Sequence, residues 1–218
     1  GNRPLLTGGT MMYFNALQQG LAKLPVADER VRAEINARAL EYGWPVLHLE
    51  LQQLDPAAAA RIKPLDAQRI QRALEVITVA GKSLSELQRA TKPALRARYL
   101  NIGLMPTQRA LLHQRIEQRF AAMLDAGFIR EVEALLAMPE MSASAPSMRA
   151  VGYRQLVAYL TGECSLDQAV KDAIVATRRL AKRQMTWIRS MPDVHVVDSD
   201  AADCSLQVLA VLRSRVSL

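Results

Sequence analysis

The sequence is short of aromatics and cysteine and has no long apolar run, and each shortage excludes something. Phe, Trp and Tyr make up 5% of the 218 residues, so the core must be built mainly from Leu, Ile, Val, Ala and Met. The two cysteines, Cys164 and Cys204, stand far apart with no CxxC spacing. That spacing argues against a disulfide framework or a zinc site, and a reducing cytoplasm is the expected compartment. No stretch reaches the apolar length that spans a bilayer, and none has the make-up of a signal peptide. Paired carboxylates, a metal-ligand cluster and a nucleophile beside a base are all missing from the pattern. His48, His113 and His195 fall in unrelated contexts and read as structural. Internal repeats and low-complexity tracts are not found either.

What is abundant is positive charge. Lys and Arg number 28 against 21 Asp and Glu, a formal net charge of +7. The imbalance favours a polyanionic partner, either nucleic acid or a phosphorylated small molecule. Otherwise the composition is that of a globular protein, 50% hydrophobic and 22% charged. The length suits one large domain or one domain with a sizeable insertion.

Pro4 to Thr7 is a short apolar run that reads as a strand, followed by Gly8-Gly9-Thr10 and the helix-like MMYFNAL. Strand, glycine pair and helix form the turn that offers backbone N–H groups to an anion, although such turns also occur where nothing binds. A chain opening on such a strand suggests that a beginning has been cut away. From Ala27 to Pro93 the pattern is helical. Asp28 can cap a helix with Val31, Ile35, Ala39 and Tyr42 on one face and Gly43 at its end. A second helix runs through Leu47–Leu54, and Asp55-Pro56 opens an alanine-rich third. Asp66 caps a fourth, with Ile70, Leu74 and Ile77 facing inward and Gln68, Arg69 and Arg72 on another face. A solvated surface is the plain reading of that polar face.

YLNIGLMP, residues 99–106, reads as a strand, and Thr107 as the cap of a long helix. Its apolar stripe is Leu112, Ile116, Phe120 and Met123, with Arg119 on the border. A guanidinium there must snorkel, pair with a core-edge carboxylate or find an anionic ligand. PSMRAVGYRQ, residues 146–155, is a basic turn with no acid of its own. Gly152 can bring the backbone close to a ligand, Tyr153 can stack on a base, and Arg149 and Arg154 can hold phosphates. After a short helix, Ser165 and Gln168 form a capping box for a helix of about two dozen residues. Its apolar residues include Leu166, Val170, Ala173, Ile174, Leu180, Trp187 and Ile188. From Arg178 to Arg189 it carries Arg178, Arg179, Lys182, Arg183 and Arg189 and no acid. VHVVD, near the end, reads as a last edge strand.

The glycine pair, the Gln68–Arg72 face, the basic turn and the acid-free helix all offer donors to anions. The chemistry they support is charge stabilisation, suited to phosphate or diphosphate. In chain order, LLTGGTMMYFNAL, DAQRIQRALEV, RIEQRFAAML, PSMRAVGYRQL and ATRRLAKRQMTWIR closely resemble the bacterial tRNA dimethylallyltransferases, also called tRNA isopentenyltransferases. The resemblance spans nearly the whole chain.

It implies an α/β fold: a P-loop NTPase-like core with an all-helical insertion domain, predominantly α in this chain. The implied division is core in residues 1–22, helical insertion in 23–95 and the rest of the core in 96–218. The implied activity is transfer of a dimethylallyl group from dimethylallyl diphosphate to N6 of the adenosine 3′ of the tRNA anticodon. The target base is flipped into a channel that the diphosphate enters from the other end. By the same resemblance Arg119 stabilises the leaving diphosphate. Thr10, Arg32, the run Gln68, Arg69, Ile70, Gln71, Arg72 and the run Arg149, Ala150, Val151, Gly152, Tyr153, Arg154 fall at tRNA contacts. Lys182 and Arg183 are candidates for further phosphate contacts. Mg2+ is the implied cofactor, with no metal ligand in this chain; the anticodon stem-loop is the partner, a monomer the expected state, and no membrane is involved. The family's P-loop, G-x-x-x-x-G-K-[ST], and the Asp-Ser segment whose aspartate is its proposed base are not among these residues. Roughly the first third of the usual chain is thus expected to be missing, and these residues alone to be inactive. Two other readings stay open: an adenine-nucleotide prenyltransferase, disfavoured by the helical insertion and extended basic surface, and a non-catalytic RNA-binding module.

Overall fold

The computed structural model describes residues 4–93, 95, 97–143 and 145–215. The chain forms two compact units, one of Met12–Arg98 and one of the residues up to Met11 together with those from Tyr99 onward.

The first unit is helical. After α1 (Met11–Gln19) come α2 (Glu29–Tyr42), α3 (Trp44–Leu54), the short α4 (Pro56–Ala59), α5 (Ala67–Ala80) and α6 (Leu84–Arg89). Local caps start them. Asp28 accepts from Val31 N–H at 3.1 Å, Asp55 from Ala58 N–H at 3.0 Å and Asp66 from Arg69 N–H at 3.3 Å. Gly43 ends α2 at φ 83°, a backbone region that favours glycine, and its N–H returns to Ala39 O. Val31, Ile35, Ala39, Leu47, Leu51, Ile70 and Leu74 share one buried core, with Ile77 packed against it. Tyr42, expected on the same face, is exposed, because α2 ends on it and Gly43 turns the chain away.

At the centre of this unit is an acid that no local motif marks. Glu75, on α5, is fully buried. Its carboxylate accepts the Asp28 N–H at 2.8 Å, Arg32 Nε and Nη2 at 2.9 and 3.2 Å, and Arg72 Nη1 at 2.7 Å. Arg72 Nη2 donates onward to Pro25 O at 2.7 Å. A buried carboxylate with unfilled lone pairs would cost several kcal/mol, so this saturation is what makes it tolerable. Burial pushes the carboxyl up, but the hydrogen bonds from Arg72, Arg32 and the Asp28 N–H outweigh it and hold Glu75 below the usual carboxylate range. Asp55 plays a similar part, binding the Ser85 N–H at 2.8 Å as well as capping α4. His48 Nε2 lies 2.8 Å from Ile62 O, a structural contact as read from the sequence.

The second unit holds a parallel pair of strands, β1 (Asn101–Met105) and β2 (Val194–Asp198), in register from Asn101↔Val194 to Met105↔Asp198. The crossover between them comprises α7 (Arg109–Asp125), α8 (Phe128–Leu136), a 3-10 turn (Ser147–Arg149), α9 (Tyr153–Leu160) and α10 (Leu166–Ser190); α11 (Cys204–Arg215) follows β2. Phe120, Phe128, Val132, Met148, Leu156, Val157 and Ala173 form the core between the helices. A Cβ at Gly103 would fall 2.6 Å from Ile188 Cγ2, so α10 crosses the sheet where β1 has no side chain.

Two expectations do not hold. Pro4–Thr7 is not a strand: Leu5 and Leu6 are exposed, and the described strands are β1 and β2 alone, leaving this segment no ladder to join. Thr107 does not cap α7. Gln108 is the N-cap and makes no side-chain cap bond, while Asp200 holds the approach to the helix, accepting the Thr107 and Gln108 N–H groups at 3.0 and 3.1 Å and Arg115 Nη1 at 2.7 Å. The Thr107 hydroxyl donates to Asp198 Oδ2 at 3.1 Å. The Gln108 N–H, with Arg115 and the Thr107 N–H, holds Asp200 below the usual range against its burial. Ser165 caps α10 through the Gln168 N–H at 3.2 Å, as its spacing indicated. The α10 residues packed on the core stop at Ile174, while Leu180 and Trp187 are exposed.

Glu75 makes stability depend on pH in a definite sense. Its folded carboxyl titrates below the unfolded value of about 4.3, so its contribution is full above that value and is lost as pH falls through the folded one. Glu75→Gln should lower stability at pH 7 by about 3 kcal/mol, since two arginines lose their charge partner. Urea midpoints at pH 7 and pH 3.5 should differ less in the variant than in the parent. Equal pH dependence of the two proteins would rule out this assignment.

Candidate diphosphate and nucleic-acid site

The Gly8-Gly9-Thr10 turn is held against α10. Gln184 Nε2 donates to Gly9 O at 2.8 Å, and a Cβ at Gly9 would lie 2.5 Å from that nitrogen. The contact falls inside the acid-free run, one residue after Arg183. Thr10, Lys182 and Arg183 are all exposed, and the two cations have no ion pair among the described residues. The structure thus brings together the glycine turn and the acid-free run, which lie far apart in sequence.

Helix α7 joins the same region through Glu117, whose carboxylate is paired with Arg178 of α10. Arg178 is therefore structural, and its buried Nε has no partner among the described residues. Arg119, two residues past Glu117, is exposed above the buried Ile116 and Phe120. It makes no hydrogen bond or ion pair among the described residues, so the core-edge salt bridge considered from the sequence does not form.

The basic turn is shaped by an aromatic stack. Phe128 meets Phe120 at 6.2 Å and Tyr153 at 4.9 Å between ring centroids, both edge-on. Gly152 has φ 96°, and a Cβ there would lie 3.1 Å from Phe128 Cε1. Its N–H donates to Oε1 of the buried Gln155 at 2.9 Å. Gly152 is buried, so its closeness serves the aromatic stack rather than a ligand. Tyr153 is committed likewise: its ring packs on Phe128 and its hydroxyl donates to the Glu131 carboxylate, which holds the phenol above its usual range. Base stacking on that ring would have to share it with Phe128. Arg149, Ala150 and Arg154 are exposed and Val151 is half-buried, so the turn's outer surface is basic.

In the helical unit the run 68–72 divides. Ile70 is fully buried in the core and offers no side chain to a ligand. Gln68 is exposed, Arg69 pairs with Asp66 at 3.5 Å, and Gln71 Nε2 donates to Asn36 Oδ1 at 2.7 Å. Arg32 gives its Nε and Nη2 to Glu75, and Arg72 gives Nη1 to Glu75 and Nη2 to Pro25 O, so both guanidinium groups are held in fixed orientations while their side chains stay 40% and 30% exposed. The signal for Glu75 was present: an acid on the buried face of α5, three residues after Arg72. Among the described residues no group of three His, Cys, Asp or Glu could hold a metal ion, and Glu117, the acid nearest Arg119 in sequence, is taken by Arg178. The residues described do not fit a Mg2+ site.

Residues 1–191 match the family model described as IPP transferase. The chain is 51% identical over 207 residues to the tRNA dimethylallyltransferase of Bordetella pertussis, covering 93% of this chain and 66% of that protein. It is 51% identical over 216 residues to the tRNA dimethylallyltransferase of Burkholderia multivorans, covering 97% and 66%. Among solved structures, the full-length tRNA isopentenylpyrophosphate transferase of Bacillus halodurans superposes with a TM-score of 0.55 at 30% identity, over 93% of this chain and 64% of that one. A eukaryotic dimethylallyltransferase acting on tRNA shares the fold at a TM-score of 0.67 and 23% identity, over 96% and 56%. The chain belongs to the IPP transferase family, with the P-loop NTPase-like α/β fold and predominantly helical content implied by its motifs. It spans 66% of the length of the curated relatives it matches.

The aromatic anchor is testable without any substrate. Gly152→Ala should destabilise the protein by about 1–3 kcal/mol, from its positive φ and the Phe128 contact. Arg154→Ala, two residues on and exposed, should stay within about 0.5 kcal/mol of the parent. Urea unfolding of both variants checks the contrast.

Proposed function

We propose that the protein acts in tRNA modification, transferring a dimethylallyl group from dimethylallyl diphosphate to N6 of the adenosine 3′-adjacent to the anticodon. The observation that carries this reading is Arg119, a guanidinium with no partner among the described residues, on the α7 segment that Glu117 ties to the basic helix α10. A bond forms between N6 and the dimethylallyl carbon as the bond from that carbon to the diphosphate oxygen breaks. Diphosphate leaves with its added negative charge, and N6 gives up a proton. Arg119 meets the departing diphosphate, and its attraction grows as charge develops there, which lowers the barrier more than it tightens ground-state binding. Lys182 and Arg183, beside the Gly9 turn, add cations to the same helix. Thr10, Arg32, Gln68, Arg69, Gln71, Arg72 and the outer surface of Arg149–Arg154 contact the anticodon stem-loop, with Arg32 and Arg72 oriented by Glu75. Neither a P-loop sequence nor an assigned base is among these residues, so the reading concerns the protein at the length of its relatives. No step is routed through Mg2+. A monomer in the cytoplasm is the working form.

The alternative of a free adenine-nucleotide substrate fits less well, since oriented arginines in the helical unit exceed what a mononucleotide could touch. Arg119→Ala, assayed at the full length of the family's proteins, should lower single-turnover transfer by about a hundredfold. Tm and tRNA affinity should change little, and Arg119→Lys should recover only part of the rate. A variant that loses melting temperature but keeps its rate would refute the role.

A further inference from the structure

A groove of about 400 Å³ runs between α9 and α10, outside the contacts assigned so far except at Arg154. Its charged walls are Arg154 from the first turn of α9, and Asp172 and Arg179 from α10. Asp172 and Arg179 are seven residues apart and lie on one helical face. Ala158, Ala169 and Ala176 keep the floor shallow, and Cys164, in the turn joining the helices, closes one end. All three charged residues are exposed, and none has a side-chain hydrogen bond or ion pair among the described residues. This distinguishes them from Arg178, the neighbour of Arg179, which is paired with Glu117.

Two guanidinium groups without carboxylate partners suit a phosphate, and Arg is the side chain that grips one by paired donors. A bare polyanion would be repelled by Asp172, which instead accepts a hydrogen bond from a neutral donor. The volume lies in the range of small-ligand sites, larger than one phosphate requires. We propose that this groove is a ribonucleotide subsite, in which Arg154 and Arg179 hold a backbone phosphate and Asp172 accepts from the adjoining ribose 2′-hydroxyl. The proposal rests on the RNA-binding reading above and extends it: the bound strand continues from the Arg149–Arg154 turn along α10, and Asp172 lets the protein distinguish RNA from DNA.

The test uses the chain of 218 residues, an anticodon stem-loop RNA and its DNA counterpart. Binding by the unaltered chain should weaken steeply with salt; no salt-dependent binding would overturn the RNA reading itself, and this proposal with it. Arg179→Ala should weaken RNA binding by about tenfold and reduce the salt slope by about one. Arg213→Ala, a charge-matched change on α11 outside the groove, should do much less. Equal effects of Arg179→Ala and Arg213→Ala, with binding by the parent intact, would overturn the groove alone. Asp172→Ala, which removes the acceptor, should narrow the preference for RNA over DNA, and an unchanged preference would remove the ribose contact. In a Cys204→Ser background the RNA should slow alkylation of the half-buried Cys164. Unchanged alkylation, or equal protection by adenosine monophosphate alone, would overturn an RNA strand as the occupant.

Discussion

A carboxylate drawn out of water must be met by several donors at once, and the helical unit is arranged around one such demand. Glu75 binds the backbone where α2 begins and the guanidinium groups of Arg32 and Arg72. Through Arg72 it also reaches Pro25 O, so one side chain joins α5, the start of α2 and the segment before it. Asp55 does the same for α4 and the start of α6. In the other unit Asp200 gathers the start of α7 and Arg115 beside the end of β2. Such contacts act at long sequence separation, and each fixes a helix terminus that would otherwise leave N–H groups unmet.

These buried acids also explain which cations are left over. The protein has fewer acids than bases, and several acids serve as internal hubs. Arg32, Arg72, Arg115 and Arg178 are therefore partly or wholly structural. Arg119, Arg154, Arg179, Lys182 and Arg183 have no such partner among the described residues. An unpaired guanidinium at the surface is inexpensive in water and has every donor free for a phosphate, whereas a salt-bridged one has committed part of its donors. Sorting the arginines by partner locates the proposed surfaces better than their total charge does.

Local chemistry was legible before the structure. Asp28, Asp66 and Ser165 cap the helices that their spacing indicated, since a cap and its N–H lie within three residues. The two strands also lie where YLNIGLMP and VHVVD placed them. Thr107 reads as a cap in sequence, yet its hydroxyl and N–H go to Asp198 and Asp200, more than 90 residues later in the chain. Gly152 and Tyr153 looked poised for a ligand, yet they pack on Phe128, a partner from another helix that no local window contains.

The sequence by itself determined the starts of the helices capped by Asp28, Asp66 and Ser165, the family and the residue types able to meet a diphosphate, because these depend on neighbours along the chain or on ordered motifs. Only the tertiary structure decided which of those residues remain available. Ile70 and Arg72 sit two apart on one helix, yet one is sealed in the core and the other shares Glu75 with Arg32. Arg178 and Arg179 are adjacent, and one is paired while the other lines an open groove. Burial and pairing are set by what packs against a side chain, and that partner comes from elsewhere in the chain.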